Sequence, residues 1–146
     1  MALACDVVLA SDRARFDPVF TRRAILPDHA ALWFLPRVVG LLAAKEMIFS
    51  GRIIEAAEAA QVGLCTRLLS VDGFNTAVHS YCRDLAVGHT RALCAARAIM
   101  NKGLESDLWN VQTYERLVQP ALFESDDYSE GFDAYREGRE PQFRGG

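Results

Sequence analysis

The chain opens on a dense apolar run and then settles into spaced patterns. MALACDVVLA predicts a buried strand over residues 3–10. Ser11, Asp12 and Arg13 suit a surface turn, and residues 16–23 carry no period and read as a loop. Ala30, Ala31, Leu32, Trp33, Phe34 and Leu35 predict a short apolar helix. Residues 41–49 have helical spacing and stop at Ser50-Gly51. Residues 55–62 predict a second, Ala-rich helix ended by Gly63, and residues 64–70 alternate as a strand does. From Val71 the pattern is helical. Asp72 heads a helix over 73–87 with Phe74, Val78, Tyr81 and Leu85 as its stripe. Thr90 heads the next, which ends near Gly103. Asp107 starts a long third helix through Leu108, Val111, Leu117 and Leu122, and Asp126-Asp127 leads into a last one over 130–137. The fold class is therefore α/β, with a strand-bearing part over 1–70 and a helical part over 71–146.

Composition narrows the function more by exclusion than by indication. The 146 residues leave room for one domain and a sizeable core. A net charge of −3 gives no electrostatic case for nucleic acid or an anionic membrane surface. No apolar run approaches a membrane span, and the start lacks the basic lead and apolar length of a signal peptide. Cys5, Cys65, Cys82 and Cys94 have no CxxC spacing, and His29, His79 and His89 complete no metal-ligand pattern. Reduced, inert thiols and a cytoplasmic location are the expectation. P-loop, GxGxxG, nucleophile-elbow and HExxH patterns are absent.

One stretch, residues 16–40, FDPVFTRRAILPDHAALWFLPRVVG, holds the candidate chemistry. Pro27 fixes its own φ and pushes Leu26 to an extended conformation. Asp28 then stands before the apolar helix, placed to cap its N-terminus. Leu26, Trp33 and Phe34 are placed to desolvate its carboxylate in part. His29 reads as a solvent-facing residue at the helix start, and Arg22 and Arg23 as a solvated pair.

The same stretch resembles the segment F-T-R-R-G-(I/L/V)-(V/I)-P-(E/D)-x-x-x-x-W-x-L-P-R-x-V-G of the enoyl-CoA hydratase/isomerase family, the crotonase-like proteins. Three further blocks match in order. ALACDVVLASDRARF is similar to the family's strand and turn, AKEMIFSGRIIEAAEAAQVGLCTRLL to its A-x-E-x-x-x-(T/S)-G-R segment, and SDDYSEGFDAYREGREPQF to its terminal segment. Four ordered blocks make the match specific.

The resemblance implies the C-terminal half or so of a member: part of a crotonase-like β/α spiral over 1–70, then a helical oligomerisation layer over 71–146. It implies an acyl-CoA substrate, with coenzyme A entering as part of the substrate and no other cofactor or metal. It implies a homotrimer or hexamer. The backbone N–H groups that hold the thioester oxygen of an enolate come, in the family, from a segment ahead of the strand, which this sequence does not include. The second catalytic carboxylate of the hydratases falls at Phe20, and a phenyl ring cannot activate water. The isomerase-like branches place an acidic residue at the position of Asp28, where it moves a proton between C2 and C4 of the acyl chain. Phe20, Leu26, Trp33 and Tyr135 are the implied acyl and CoA contacts. A Lys that some members use for the CoA phosphates is Gly138 here, with Arg136, Arg139 and Arg144 nearby in sequence. The Gly expected after FTRR is Ala24.

Two function classes follow. In one, the chain belongs to an enoyl-CoA hydratase or isomerase, truncated and in need of its other half for activity. In the other, it is a non-catalytic remnant, a helical oligomerisation or partner-binding module.

Overall fold

A computed structural model describes residues 2–145. The chain divides into two compact units, Met1–His79 and Ser80–Gly146.

The first unit is built on two small strand pairs and three helices. Strand β1 (Leu9–Ser11) runs parallel to β4 (Arg67–Leu69), with Leu9 opposite Arg67 and Ser11 opposite Leu69. Strand β2 (Arg15–Phe16) runs antiparallel to β3 (Ile54–Glu55). Helices α1 (Ala31–Val39), α2 (Leu41–Ser50) and α3 (Ala56–Gln61) supply the rest. The parallel pair brings residues far apart in sequence together. Thr66 reinforces it by donating its N–H to the Val8 carbonyl at 2.7 Å, while its hydroxyl accepts the Val8 N–H at 3.1 Å.

The core gathers Leu35 from α1 with Ala44, Met47 and Ile48 from α2, Ile54 from β3, Ala59 from α3, and Leu64. The 44, 47, 48 spacing is the one-sided stripe of an amphipathic helix. Between α1 and α2 the chain turns at Gly40, whose φ of 80° suits a residue without a Cβ. Pro36 sits inside α1 and removes one helical hydrogen bond there. Gly51 ends α2 in the left-handed region and donates its N–H to the Met47 carbonyl at 3.0 Å. The guanidinium of Arg52 then joins Glu46 at 2.9 Å and Glu58 at 2.5 Å, tying the end of α2 to α3. Arg52 holds the Glu46 and Glu58 carboxyls below the usual carboxylate range.

Helix α4 (Phe74–Ala86) follows. The second unit contains α5 (Thr90–Gly103), α6 (Leu108–Phe123) and α7 (Asp126–Glu137). Helices α5 and α6 pack together. Asp107 accepts the Asn110 N–H at 2.8 Å and so caps α6, as the sequence predicts. Ser125 caps α7 by accepting the Tyr128 N–H at 3.2 Å. On α7, Ala134 is buried, and Tyr128 stacks on Phe132 at a centroid distance of 6.3 Å and meets Phe123, the last residue of α6, in a tilted contact at 4.9 Å.

Four local expectations are corrected. The strand predicted over residues 3–10 is a 3-10 turn at Ala2–Ala4, closed by the Cys5 N–H on the Ala2 carbonyl, and extended pairing begins only at Leu9. An apolar run marks burial without naming the backbone shape, and only Leu9 onward has a partner strand. The strand over 64–70 is likewise shorter, because Leu64 donates its N–H to Ala59 and closes α3. Asp28 does not cap α1. The cap position is Ala30, with no side-chain hydrogen bond. At α5 the cap position is His89 rather than Thr90, again without a side-chain bond.

Candidate functional site

The segment from Phe20 to Leu35 lies in the first unit and is anchored at both ends. Thr21–Arg23 forms a 3-10 turn. Its first hydroxyl donates to the Ile48 carbonyl of α2 at 2.6 Å. The Ile25 N–H closes the turn onto the Phe20 carbonyl at 3.1 Å. Ala24 sits at φ 55°, ψ 33°, a left-handed conformation that L residues with a Cβ seldom adopt. At the far end Leu35 is buried in the core.

Between these anchors Pro27 is buried and Asp28 is not. The Asp28 carboxylate is 64% exposed and lies 3.5 Å from His29 Nε2. The backbone explains why it cannot cap. His29 and Ala30 both have positive φ, 50° and 56°. This left-handed pair turns the chain so that the Asp28 carbonyl, not its carboxylate, takes the Ala31 N–H at 2.9 Å. Two consecutive left-handed residues with side chains cost of order 1–2 kcal/mol each, and strain of this kind tends to gather at functional turns.

Beside this turn lies a mainly apolar cavity of about 310 Å³. Its walls include Phe16, Phe20, Ala31, Leu35, Met47 and Ile54. Phe20 lies on this wall. Asp28 is one hydrogen-bonded turn from the wall residue Ala31. Leu26 and Trp33 are not among the residues that form this wall. Leu26 is 75% exposed. Trp33 stays 42% exposed, with the Arg37 guanidinium stacked 3.2 Å from its ring centroid and donating to the Trp33 carbonyl at 3.0 Å. The desolvating shell of Leu26, Trp33 and Phe34 expected around Asp28 is thus not formed within this unit, since the left-handed turn swings the carboxylate outward. Tyr135 belongs to the second unit, on α7, and is 85% exposed.

Sequence reasoning named Phe20 but not the other wall residues. Met47 and Leu35 could have been found from the stripes of α2 and α1. Ile54 could not, since its burial depends on the β2–β3 pairing. Among the described residues no group of three His, Cys, Asp or Glu side chains could hold a metal ion. No helix among them is long and apolar enough to cross a membrane.

The sequence model of the enoyl-CoA hydratase/isomerase family matches residues 1–146. The chain belongs to the enoyl-CoA hydratase/isomerase family. It is 33% identical over 149 residues to a mitochondrial methylglutaconyl-CoA hydratase of Homo sapiens, covering 99% of this chain and 44% of the relative. Among solved structures it is similar to an enoyl-CoA hydratase/isomerase from Cupriavidus metallidurans, at 34% identity and a TM-score of 0.90, covering 99% of this chain and 54% of that one. An enoyl-CoA hydratase from Bacillus anthracis superposes with a TM-score of 0.92 at 29% identity, covering 99% of this chain and 56% of that one. The chain spans about half the length of the curated relatives it matches. Its α/β fold is the C-terminal part of the crotonase fold, ending in helices.

Proposed function

We propose that this enoyl-CoA hydratase/isomerase family chain contributes to a site acting on an acyl-CoA thioester, and that the reaction is double-bond isomerisation with Asp28 as the proton carrier. Asp28 carries the reading. Its carboxylate is open to solvent, fixed on a strained turn, and one turn from the wall of an apolar cavity. In the proposed step the carboxylate takes a proton from C2 of a 3-enoyl thioester. The electron pair moves into a dienolate, and the same proton returns at C4 to give the conjugated 2-enoyl thioester. A carboxylate can perform this only if N–H donors stabilise the oxygen of the dienolate. Phe20 on the cavity wall speaks against two-carboxylate hydration, because it offers no base for water at that place.

The acyl chain would lie against Phe20, with Leu26 and Trp33 beside the turn, and Tyr135 would meet the CoA portion. The substrate brings coenzyme A with it, and no other cofactor enters the proposal. A homotrimer or hexamer is the proposed assembly and the cytoplasm the proposed location. Exposed Leu104, Leu108, Trp109 and Leu117 around α5 and α6 support association. They equally favour the second reading, a non-catalytic oligomerisation or partner-binding module.

The test is an assay of the chain with 3-enoyl-CoA and with 2-enoyl-CoA, following absorbance of the conjugated thioester, alongside Asp28→Asn. A gain of conjugation from the 3-enoyl substrate that the Asn variant abolishes supports isomerisation. Loss of conjugation from the 2-enoyl substrate means hydration and overturns the role given to Asp28. No change with either substrate marks the chain as an incomplete or a non-catalytic member of the family.

A further inference from the structure

The turn at Thr21–Arg23 carries two cations that the proposed proton transfer does not use. Arg22 and Arg23 are both exposed, and neither guanidinium has a hydrogen-bond or ion-pair partner among the described residues. Other arginines of the same unit are engaged. Arg15 meets Glu55, Arg37 stacks on Trp33, and Arg52 joins Glu46 and Glu58. The carboxylates that flank Gly51 in sequence, Glu46, Glu55 and Glu58, are thus each joined to another arginine, and none pairs with Arg22.

Arg22 is nevertheless held. Its Cγ and Cδ lie 2.6 and 2.8 Å from the place where a Cβ of Gly51 would stand, so its stem runs across the bare face of that glycine. The turn beneath it is fixed as well. The Thr21 hydroxyl donates to the Ile48 carbonyl at 2.6 Å, and the Ala24 N–H donates to the Thr21 carbonyl at 3.1 Å. A stem packed in this way gives up rotamer freedom when the chain folds, so less is lost when a ligand arrives. A guanidinium that is held, unpaired and open to solvent suits a phosphate, because its planar fork meets two oxygens at once.

The surroundings say which phosphate. Phe20, the residue before this turn, lies on the wall of the apolar cavity. Asp28 follows Arg22 by six positions, a link that spans at most about 22 Å when extended. A thioester at Asp28 and a phosphate at Arg22 can therefore belong to one ligand. We propose that Arg22 binds a phosphate group of the coenzyme A portion of the substrate, with Arg23 adding positive charge beside it. The inference rests on the reading of this chain as part of an acyl-CoA site.

The test titrates the full chain with coenzyme A, with pantetheine, which carries no phosphate, and with inorganic pyrophosphate, each followed by amide NMR shifts. Coenzyme A is expected to bind Arg22→Met about 3- to 10-fold more weakly than the wild-type chain, the size of one exposed charge-assisted contact. Met keeps most of the stem over Gly51 and removes the charge. Pantetheine is expected to bind both chains alike. Equal coenzyme A affinities in the two chains overturn the proposal, and so does a wild-type chain that binds no coenzyme A. Pyrophosphate binding as tight as that of coenzyme A overturns the assignment to coenzyme A. Should the variant not fold, salt decides on the wild-type chain: coenzyme A affinity must fall as ionic strength rises while that of pantetheine holds. A flat salt profile overturns the proposal. The role given to Asp28 fails separately, since absent isomerisation with Arg22-dependent coenzyme A binding intact sinks that reading alone.

Discussion

The Asp28 carbonyl accepts the Ala31 N–H at 2.9 Å, and this one bond separates the two roles open to the residue. The backbone of Asp28 starts the helix, which leaves the carboxylate free of structural duty. Asp28→Asn is therefore expected to keep stability within about 0.5 kcal/mol of the parent, as exposed substitutions do. Catalysed isomerisation by an assembly containing the chain is expected to fall by at least about 100-fold, the range for removing a general acid–base group. Urea unfolding and initial rates on the same samples check both halves. A large stability loss would return Asp28 to the role of a structural cap.

Ala24 offers a gain of stability. At φ 55° its Cβ is strained, and the family pattern has Gly at this position. Ala24→Gly relieves that strain but loosens the unfolded chain, so the expected net gain is about 0.5–1 kcal/mol. It should appear as a higher urea midpoint with an unchanged slope. A drop in midpoint would mean that the left-handed turn does not persist in solution.

Gly51 is constrained twice. Its φ is 56°, and a Cβ there would stand 2.6 Å from Arg22 Cγ. Gly51→Ala is expected to cost about 1–2 kcal/mol from the backbone alone, plus the displacement of Arg22. Adding Arg22→Ala should recover the second part and leave the first. A double-mutant cycle in urea measures the coupling, and zero coupling would show that Arg22 moves aside at no cost.

Glu130 gives residues 142–145 a pH dependence of their own. The Arg139 guanidinium, at 2.6 and 3.0 Å, and the Gln142 N–H hold its carboxyl down to about 2. A carboxyl lowered in the folded state contributes stability above its unfolded value, and that contribution is lost as pH falls through the folded one. Protection of the Gln142 amide is thus expected to hold at pH 5 and to decline between about pH 4 and about pH 2, the window between the ordinary glutamate value and the one in the fold. In Glu130→Gln it should be low at every pH. Acid-stage hydrogen exchange checks this, and protection that survives at pH 2 would count against it.

How much of this was legible beforehand depends on whether each signal was local. Helix α2 could be read from its stripe of Ala44, Met47 and Ile48 and its Gly51 stop, because one helix face and one left-handed cap are set within a few residues. The Asp107 cap was legible for the same reason. Asp28 shows the limit. Its position after Pro27 and before an apolar run looked like a cap, yet His29 and Ala30 both adopt the left-handed conformation and turn the carboxylate away. Neither residue type announces that, since only anchoring at Thr21 and Leu35 makes the strained path favourable.

The sequence alone determined the family, through four ordered blocks that need no coordinates, and it fixed most helices through their 3.6-residue period. It also placed an acidic residue at the Pro27 turn. Tertiary structure decided which apolar residues line the cavity, because Phe16 and Ile54 meet only when β2 pairs with β3. It decided that the opening run is a 3-10 turn, and that His89 faces Asp127 across 38 positions of chain. Such contacts depend on long-range closure, and a pattern of neighbouring residues carries no record of which distant partner completes them.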